Sequence, residues 1–344
     1  MQVIALFPLL FATLSQFIYS DKEASITPFH FIPDSDGLIS QYLQVENLIT
    51  TLISFNRSQL ILYPFTSLHF NDSSSINLCE IFDLKVLHNF TVTCKYIPLS
   101  AYSSLVDHYN CSFLGPHNLR DFPVLFQLRR PIKSVKAFNF TSGDCVAGSA
   151  WKWNGFRPLA SYSSHLPAIH FQTKYISLLS LALNVLHGPP RSRDKKLVVV
   201  HWRRGDQLYT RCTWTSIFKD RSINCKGPED LFHFINQKIL SSGFPFADVK
   251  VYVATNEREP SILETLQGYN MCTYSSLPEY VSRKLRSVDV YTLEILLMTI
   301  ADVFVPIGRS NTNAFIRRLR SQRGSHSIRQ QLLYFDGQLT VASS

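Results

Sequence analysis

Three short apolar runs in the second half of the chain restrict its fold more than any other feature. They are rich in β-branched residues and span 197–200, 249–254 and 303–307. Continuous runs of this kind are typical of strands that are buried on both faces of a parallel sheet. Segments with helical spacing, 230–240 and 290–300, lie between them. Strands that alternate with helices predict a parallel, Rossmann-like sheet.

The first half of the chain carries weaker signals of the same kind. Residues 41–54 have helical spacing and 60–63 form an apolar run. A further helical segment, 175–186, ends at a Gly-Pro-Pro turn and a charged stretch, which are strong breakers. A chain of 344 residues is also longer than one compact core usually holds. We therefore predict an α/β protein with two Rossmann-like domains, residues 21–187 and 196–344.

The amino terminus and the sequons predict a secretory protein. Residues 1–20 contain one apolar stretch and end with the small residue Ser20 before Asp21, as in a signal peptide. An uncleaved membrane anchor remains the alternative, although we expect no stable anchor. Five N-x-S/T sequons follow, at Asn56, Asn71, Asn89, Asn110 and Asn139, and we expect glycosylation there. The expected location is the lumen of the endoplasmic reticulum, with the Golgi as the alternative.

The cysteines agree with an oxidising compartment. There are seven, and none forms a CxxC zinc pattern, so disulfides are expected instead of metal binding. The sequence leaves their connectivity open. Cys212 and Cys225 flank one short polar segment and are our candidate pair. The odd count leaves one thiol without an intramolecular partner.

The charge distribution assigns anion binding to the second half. Residues 1–150 carry 9 basic and 11 acidic side chains, whereas residues 151–344 carry 25 and 14. The most informative basic segment, His201-Trp202-Arg203-Arg204-Gly205-Asp206, directly follows a predicted strand. Ligands of open α/β sheets bind beyond the carboxyl ends of the strands.

Alternation along this strand places His201 and Arg203 on the same side. Arg203 can donate two charge-assisted hydrogen bonds to phosphate oxygens. Arg204 and Asp206 can pair locally and steady the loop. The alternative interpretation is a solvated salt-bridge cluster that closes a strand.

A second anion-binding position follows the run 303–307, at Gly308-Arg309-Ser310-Asn311-Thr312. Ser310 or Asn311 can cap a helix that runs to Arg320 and leaves free N–H groups for phosphate. Capping alone would also explain these residues.

Together these segments resemble the GDP-fucose protein O-fucosyltransferase family. Its H-x-R-R-type motif corresponds to His201-Trp202-Arg203-Arg204. Residues 35–47 are similar to its amino-terminal Gly-x-Asn-Asn-Gln loop, which leads into a helix. Residues 294–315 are similar to its segment of acidic residue, helix, Ala-Asp, strand and Ser-rich turn.

The resemblance implies a GT-B arrangement of two Rossmann-like domains that face a central donor cleft. It implies an inverting transferase that moves L-fucose from GDP-fucose to a hydroxyl, such as a Ser or Thr of a secretory-pathway protein, with no metal or other cofactor. It implies that Arg203 contacts the departing β-phosphate. The other donor-binding positions that it implies are Gly37, Ser40, Gln41, His201, Arg204, Asp206, Glu294, Ser310, Asn311 and Thr312.

One departure from the family pattern is Ser40, which stands where the family loop has Asn. It motivates an alternative, a non-catalytic protein that binds a nucleotide or a partner. Another alternative is a transferase that acts on glycan hydroxyls. The catalytic base is not identified: Glu46 and Asp36 are close in sequence, but each is better explained as structural.

Two other classes of protein fit less well. Asp34-Ser35-Asp36 has the letters of the DxD motif of metal-dependent GT-A transferases, but it follows Pro33 instead of an apolar strand. Arg317-Arg318-Leu319-Arg320 is a candidate polyanion patch. Its apolar neighbours favour a solvated helix face, and the leader argues against nucleic acid as a partner.

Overall fold

A computed structural model describes residues 28–33, 37–54, 58–65, 75–84, 90–97, 104, 108, 112–114, 145–148, 170–187, 195–204, 212, 223–283, 285–308 and 310–321. Several sequence predictions lie outside these residues: the leader 1–20, the segment Asp34-Ser35-Asp36, the breaker 188–194, Asp206 and the five sequon asparagines.

The described residues form two parallel sheets. The first has the order β3-β2-β1-β5-β4 and the second has the order β8-β7-β6-β9. The strands are β1 Phe29–Pro33, β2 Gln59–Leu62, β3 Thr91–Cys94, β4 Ser112–Leu114, β5 Cys145–Gly148, β6 Lys196–Trp202, β7 Val249–Thr255, β8 Met271–Cys272 and β9 Val303–Pro306.

Helices connect and cover these strands. They are α1 Leu38–Ser54, α2 Thr173–His187, α3 Pro228–Ser241, α4 Pro260–Gly268, α5 Glu279–Ser282, α6 Ser287–Ile300 and α7 Asn311–Ser321. Short 3₁₀ turns lie at Leu78–Glu80, Ile223–Cys225, Phe246–Asp248 and Tyr274–Ser276. The predicted α/β class with two Rossmann-like sheets is confirmed, and the predicted helices and strands agree with the observed ones to within a few residues.

Strand β6 is the centre of the second sheet, and six of its seven residues are buried. β-Branched side chains favour this extended backbone because they are stiff at χ1. Val198, Val200 and Trp202 face a core shared with α3 and α4. Leu197 and Val199 face the opposite core. The strand is therefore covered on both sides, and its odd-numbered residues point away from α3 and α4.

The larger core extends across both sheets. It contains side chains of β1 and β2, of the helices α1, α2, α6 and α7, and of β6 and β7. Burying a side chain of the Leu or Phe size contributes about 1.5–3 kcal/mol. Apolar burial therefore joins the two halves of the chain as well as stabilising each.

Helix α6 runs through this core and is apolar around most of its circumference, as expected of a buried helix. At its start, the carboxylate of Asp289 accepts a hydrogen bond from the Arg286 backbone N–H at 3.0 Å. At its end, the guanidinium of Arg320 donates to the carbonyls of Met298, Thr299 and Ala301. These bonds satisfy carbonyl groups that a helix end leaves without partners.

Disulfides join Cys79 to Cys94 and Cys212 to Cys225, so the predicted pair Cys212–Cys225 is confirmed. Cys145 is also disulfide-bonded, and Cys272 carries a free thiol. Within the described ranges, no helix combines the length and the apolar character that a membrane span requires.

Candidate active site

A cavity of about 490 Å³ lies at the carboxyl end of the second sheet. Both halves of the chain line it. Gly37 to Ser40, at the start of α1, come from the first half, and the remaining lining residues come from β6, β7, α6, α7 and the segments beside them. The predicted site residues that line it are Gly37, Ser40, His201, Arg203, Glu294, Asn311 and Thr312.

Arg203 enters the cavity because it directly follows β6. His201 lines the cavity as well, and Trp202 between them is fully buried in the core on the other face. The pleat of the strand produces this arrangement, since successive side chains alternate between its faces. The sequence-based prediction that His201 and Arg203 share one side is confirmed.

Arg204 does not line this cavity. Its guanidinium pairs with the carboxylate of Glu257 and donates to the Lys226 carbonyl at 3.1 Å. The other carboxylate oxygen of Glu257 accepts the backbone N–H groups of Arg258 and Glu259. Arg204 therefore fixes the loop after β7 through Glu257. The predicted partner Asp206 lies outside the described residues.

Helix α7 begins at the cavity, and its first two residues, Asn311 and Thr312, line it. The Ser310 hydroxyl accepts the Asn313 backbone N–H at 3.0 Å, so Ser310 is the N-cap. Ser310 itself does not line the cavity. The positive end of the helix dipole and its unsatisfied N–H groups favour an anion at this position.

Side-chain hydrogen bonds connect the first turn of α7 to α1 and α6. The amide of Asn311 donates to the Ser40 hydroxyl at 3.2 Å, which links the two halves across the cavity. The hydroxyls of Thr312 and Tyr291 lie 2.5 Å apart. Burial raises the pKa of Tyr291 to about 12, although the Thr312 hydroxyl and the positive charge of Arg203 both act to lower it.

Gln41, a predicted donor-binding residue, is fully buried and does not line the cavity. Ser40, the residue before it, lines the cavity, whereas Gln41 is enclosed by the protein. Glu46, about one and a half turns further along α1, forms a two-pronged ion pair with Arg318, which supports its structural interpretation.

Glu294 is a buried carboxyl group in the wall of the cavity. Burial raises its pKa from 4.5 to about 8, although hydrogen bonds from the Thr255 backbone and the Tyr252 hydroxyl act against this increase. Glu294 is therefore mostly neutral at pH 7. Glu257, the other carboxyl group in the lining, is paired with Arg204.

This leaves the cavity with a positive character. Its lining contains the guanidinium groups of Arg203 and Arg258, one paired carboxylate and one carboxyl group that holds its proton. Such a cavity attracts anions. No cluster of three or more metal-binding side chains occurs among the described residues.

Several lining residues were not among the predicted site residues, namely Asn256, Arg258, Tyr274, Ser282, Leu285 and Tyr291. A signal existed for the first two, because they follow the predicted strand 249–254 and carboxyl ends of strands are where ligands bind. The others come from a 3₁₀ turn, from α5, from the segment between α5 and α6, and from α6 itself, and their apolar or hydroxyl side chains gave no pattern.

The arginines of the candidate polyanion patch have different surroundings. Arg318 pairs with Glu46, Arg320 binds carbonyls at the end of α6, and Arg317 is exposed. Helix α7 buries Phe315, Ile316 and Leu319 in the core. These arginines therefore do not form one continuous basic surface.

A scan against protein-family models finds no match, and neither does a sequence search of the curated proteins. Solved structures do match. POFUT1 in complex with GDP aligns with a TM-score of 0.53 at 14% identity, over 86% of this chain and 95% of that chain. POFUT1 in complex with GDP-fucose gives 0.52 at 14% identity, over 85% and 95%.

NodZ α-1,6-fucosyltransferase soaked with GDP-fucose aligns with a TM-score of 0.50 at 13% identity, over 85% of this chain and 92% of that chain. A selenomethionine form of NodZ from Bradyrhizobium also gives 0.50, at 12% identity over 84% and 91%. The chain therefore has the GT-B fold of these fucosyltransferase structures.

Proposed function

We propose that this protein is an inverting glycosyltransferase that moves L-fucose from GDP-fucose to a hydroxyl acceptor. The observation that carries the proposal is the positive cavity in which Arg203 and the first residues of α7 meet. Its position at the carboxyl end of the second sheet suits a nucleotide ligand. Structures with the same fold were determined with GDP-fucose, which supports this donor.

In the proposed reaction, the bond between the anomeric carbon and the β-phosphate oxygen breaks, and its electron pair leaves with GDP. The Arg203 guanidinium neutralises the charge that develops on this phosphate. The amino end of α7 supports the same charge. The acceptor hydroxyl attacks the sugar carbon from the opposite face, which inverts its configuration, and the proton of this hydroxyl passes to solvent water.

The donor site needs no metal ion or cofactor in this proposal, because fixed cations and helix N–H groups take the role of a divalent ion. Gly37 and Ser40 border the donor from the first half, and His201, Glu294, Asn311 and Thr312 border it from the second. Glu294, which is mostly neutral at pH 7, can donate a hydrogen bond to the nucleotide.

The proposed acceptor is a Ser or Thr of a protein in the secretory pathway, with a glycan hydroxyl as the alternative. Two described disulfides support work in an oxidising compartment, for which we propose the lumen of the endoplasmic reticulum, or else the Golgi.

The decisive experiment measures GDP release from GDP-fucose by the purified protein in EDTA, with GDP-mannose as the competing donor. We expect turnover with GDP-fucose in chelator. Arg203→Ala should lower the rate by about 100-fold to 1,000-fold, as loss of a charge-stabilising donor does. Arg203→Lys should recover little, because an ammonium lacks the two-pronged geometry of the guanidinium.

The matched control is Arg317→Ala, which removes an exposed arginine of α7 and should change the rate less than about twofold. Near-normal turnover by Arg203→Ala would remove Arg203 from the mechanism. Turnover that EDTA abolishes and metal restores would contradict metal independence.

A second candidate is a protein that binds the nucleotide without turnover. Ser40 favours it, because this residue replaces the Asn of the family loop and its hydroxyl is engaged by the Asn311 amide. A thermal-shift titration with GDP separates the two. Binding without release of GDP from GDP-fucose, for any acceptor tested, would favour the second candidate.

A further inference from the structure

Behind the cavity, His201 has a buried partner that the sequence did not indicate. The Nδ1 atom of His201 lies 2.6 Å from the Oδ1 atom of Asn313, and the two residues are 6% and 2% exposed. They are separated by 112 positions in the chain and meet because β6 ends beside the first turn of α7.

The surroundings of Asn313 fix the direction of this hydrogen bond. Its Nδ2 atom lies 2.9 Å from the Gly308 carbonyl oxygen and 3.3 Å from the Ile307 carbonyl oxygen. A carbonyl oxygen only accepts, so the NH₂ group must occupy this side of the amide. The Oδ1 atom is then an acceptor, and Nδ1 of His201 must carry the proton that it receives.

A proton held on Nδ1 leaves the lone pair of a neutral imidazole on Nε2. Such a nitrogen accepts a hydrogen bond from a hydroxyl but is repelled by a phosphate oxygen, which has no proton to give. His201 and Arg203 line the same cavity with opposite chemistry, one as an acceptor and the other as a donor.

We propose that Asn313 is a positioning residue that holds His201 as its Nδ1–H tautomer, so that His201 binds a sugar or acceptor hydroxyl and leaves the diphosphate to Arg203. This division of roles rests on the proposed function. The tautomer itself follows from the hydrogen bonds around Asn313 and can be measured without donor or acceptor.

The first test is NMR of the purified protein labelled with ¹⁵N-histidine, at mildly alkaline pH, with His201→Gln to identify the signal among the 11 histidines. We expect a proton on Nδ1 of His201 and an unprotonated Nε2. A proton on Nε2 of His201 in the wild-type protein overturns the proposal directly, whatever the variants do.

Two variants separate the tautomer from simple support of the loop. Asn313→Ala removes both the acceptor for Nδ1–H and the donor to the two carbonyls. Asn313→Asp keeps the acceptor but loses the donor. If the acceptor matters, Asn313→Ala should shift the tautomer and lower turnover about 10-fold to 100-fold, by analogy with the groups that orient metal-ligating histidines. Asn313→Asp should keep the Nδ1–H form and recover most of this loss.

Equal impairment of both variants would reduce Asn313 to a loop support and contradict the proposal. GDP affinity is the companion measurement: Asn313→Ala should change it less than about twofold, whereas Arg203→Ala should weaken it. A matching loss of GDP affinity in Asn313→Ala would place His201 on the GDP part of the donor instead of the transferred sugar or the acceptor, and would also sink the proposal.

The source of the hydroxyl follows from the same variant. If His201 binds a hydroxyl of the transferred sugar, Asn313→Ala should weaken the binding of GDP-fucose and leave the binding of GDP unchanged. An acceptor hydroxyl predicts a higher KM for the acceptor with unchanged binding of GDP-fucose. If wild-type protein binds no GDP, the proposed function fails while the NMR result still decides the tautomer.

Discussion

Burial in the cavity wall changes the protonation of the Glu294 side chain. Its carboxyl group lies in the cavity wall with 5% exposure, and the Tyr252 hydroxyl is 3.5 Å away. Burial raises its pKa to about 8. A carboxyl group that keeps its proton at neutral pH can donate as well as accept hydrogen bonds, which an exposed glutamate cannot do.

The raised pKa predicts a pH dependence of stability. Between 4.5 and about 8, the folded protein holds the Glu294 proton and the unfolded chain releases it. The stability that Glu294 contributes is therefore full below the lower value and is lost as the pH rises through the upper one. Urea unfolding should show a smaller loss across this interval in Glu294→Gln than in wild type.

The control for this measurement is Glu279→Gln, because Glu279 is 68% exposed and its ion-pair partner among the described residues is Arg283, one helical turn away. It should leave the slope of stability against pH unchanged. A Glu294→Gln variant with the wild-type slope would show that Glu294 is ionised in the folded protein.

At the scale of elements, the contact between α1 and α7 holds the two sides of the cavity together. The Arg318 guanidinium binds both carboxylate oxygens of Glu46, and the two side chains are 25% and 7% exposed. Tyr42 packs edge-on against Phe315 with ring centroids 5.5 Å apart. The hydrogen bond from Asn311 to Ser40 lies at the cavity end of the same contact.

A double-mutant cycle with Glu46→Gln and Arg318→Gln should measure this contact. We expect a coupling energy of about 2 kcal/mol, below the value for a fully buried pair because Arg318 is partly exposed. The exposed pair Glu279 and Arg283 is the matched control and should give less than about 0.5 kcal/mol. Equal coupling in the two cycles would show that the Glu46–Arg318 pair contributes no more to the helix contact than an exposed pair contributes.

At the scale of the whole molecule, a second polar link accompanies the continuous core. Arg286, at the start of α6, contacts Glu80 of the first half at 2.9 Å and Asp289 of its own helix at 3.1 Å. Asp289 also accepts the Tyr175 hydroxyl of α2 at 2.6 Å. Burial acts to raise the pKa of Asp289, but these hydrogen bonds outweigh it and the pKa is lowered.

Because both halves line the cavity, a bound nucleotide should stabilise both. We predict that GDP slows hydrogen exchange in peptides covering 37–42, 254–258, 287–294 and 311–316, measured by mass spectrometry. Helix α3 lies on the opposite face of the second sheet and serves as the internal control without change. Protection confined to the second half would mean that Gly37 to Ser40 do not contact the nucleotide.

Local patterns in the sequence were sufficient to predict the helices and strands and some of the residues that line the cavity. Strand β6 was predictable because its continuous β-branched run is typical of a strand buried on both faces, and helix α6 because a segment of helical length lies between two such runs. The position of Arg203 in the cavity lining was predictable because this residue directly follows a buried strand. Cys212 and Cys225 were predictable as a pair because they lie close together in the chain.

The tertiary structure alone decided the partners of these residues. Three contacts join residues that are far apart in the chain. The separations are 112 positions for Asn313 and His201, 53 for Glu257 and Arg204, and 271 for Ser40 and Asn311. The tertiary structure also decided that Gln41 is buried outside the cavity lining. Helical spacing and alternation describe one element at a time, whereas these contacts arise where helices and sheets pack against each other, and no local pattern records that packing.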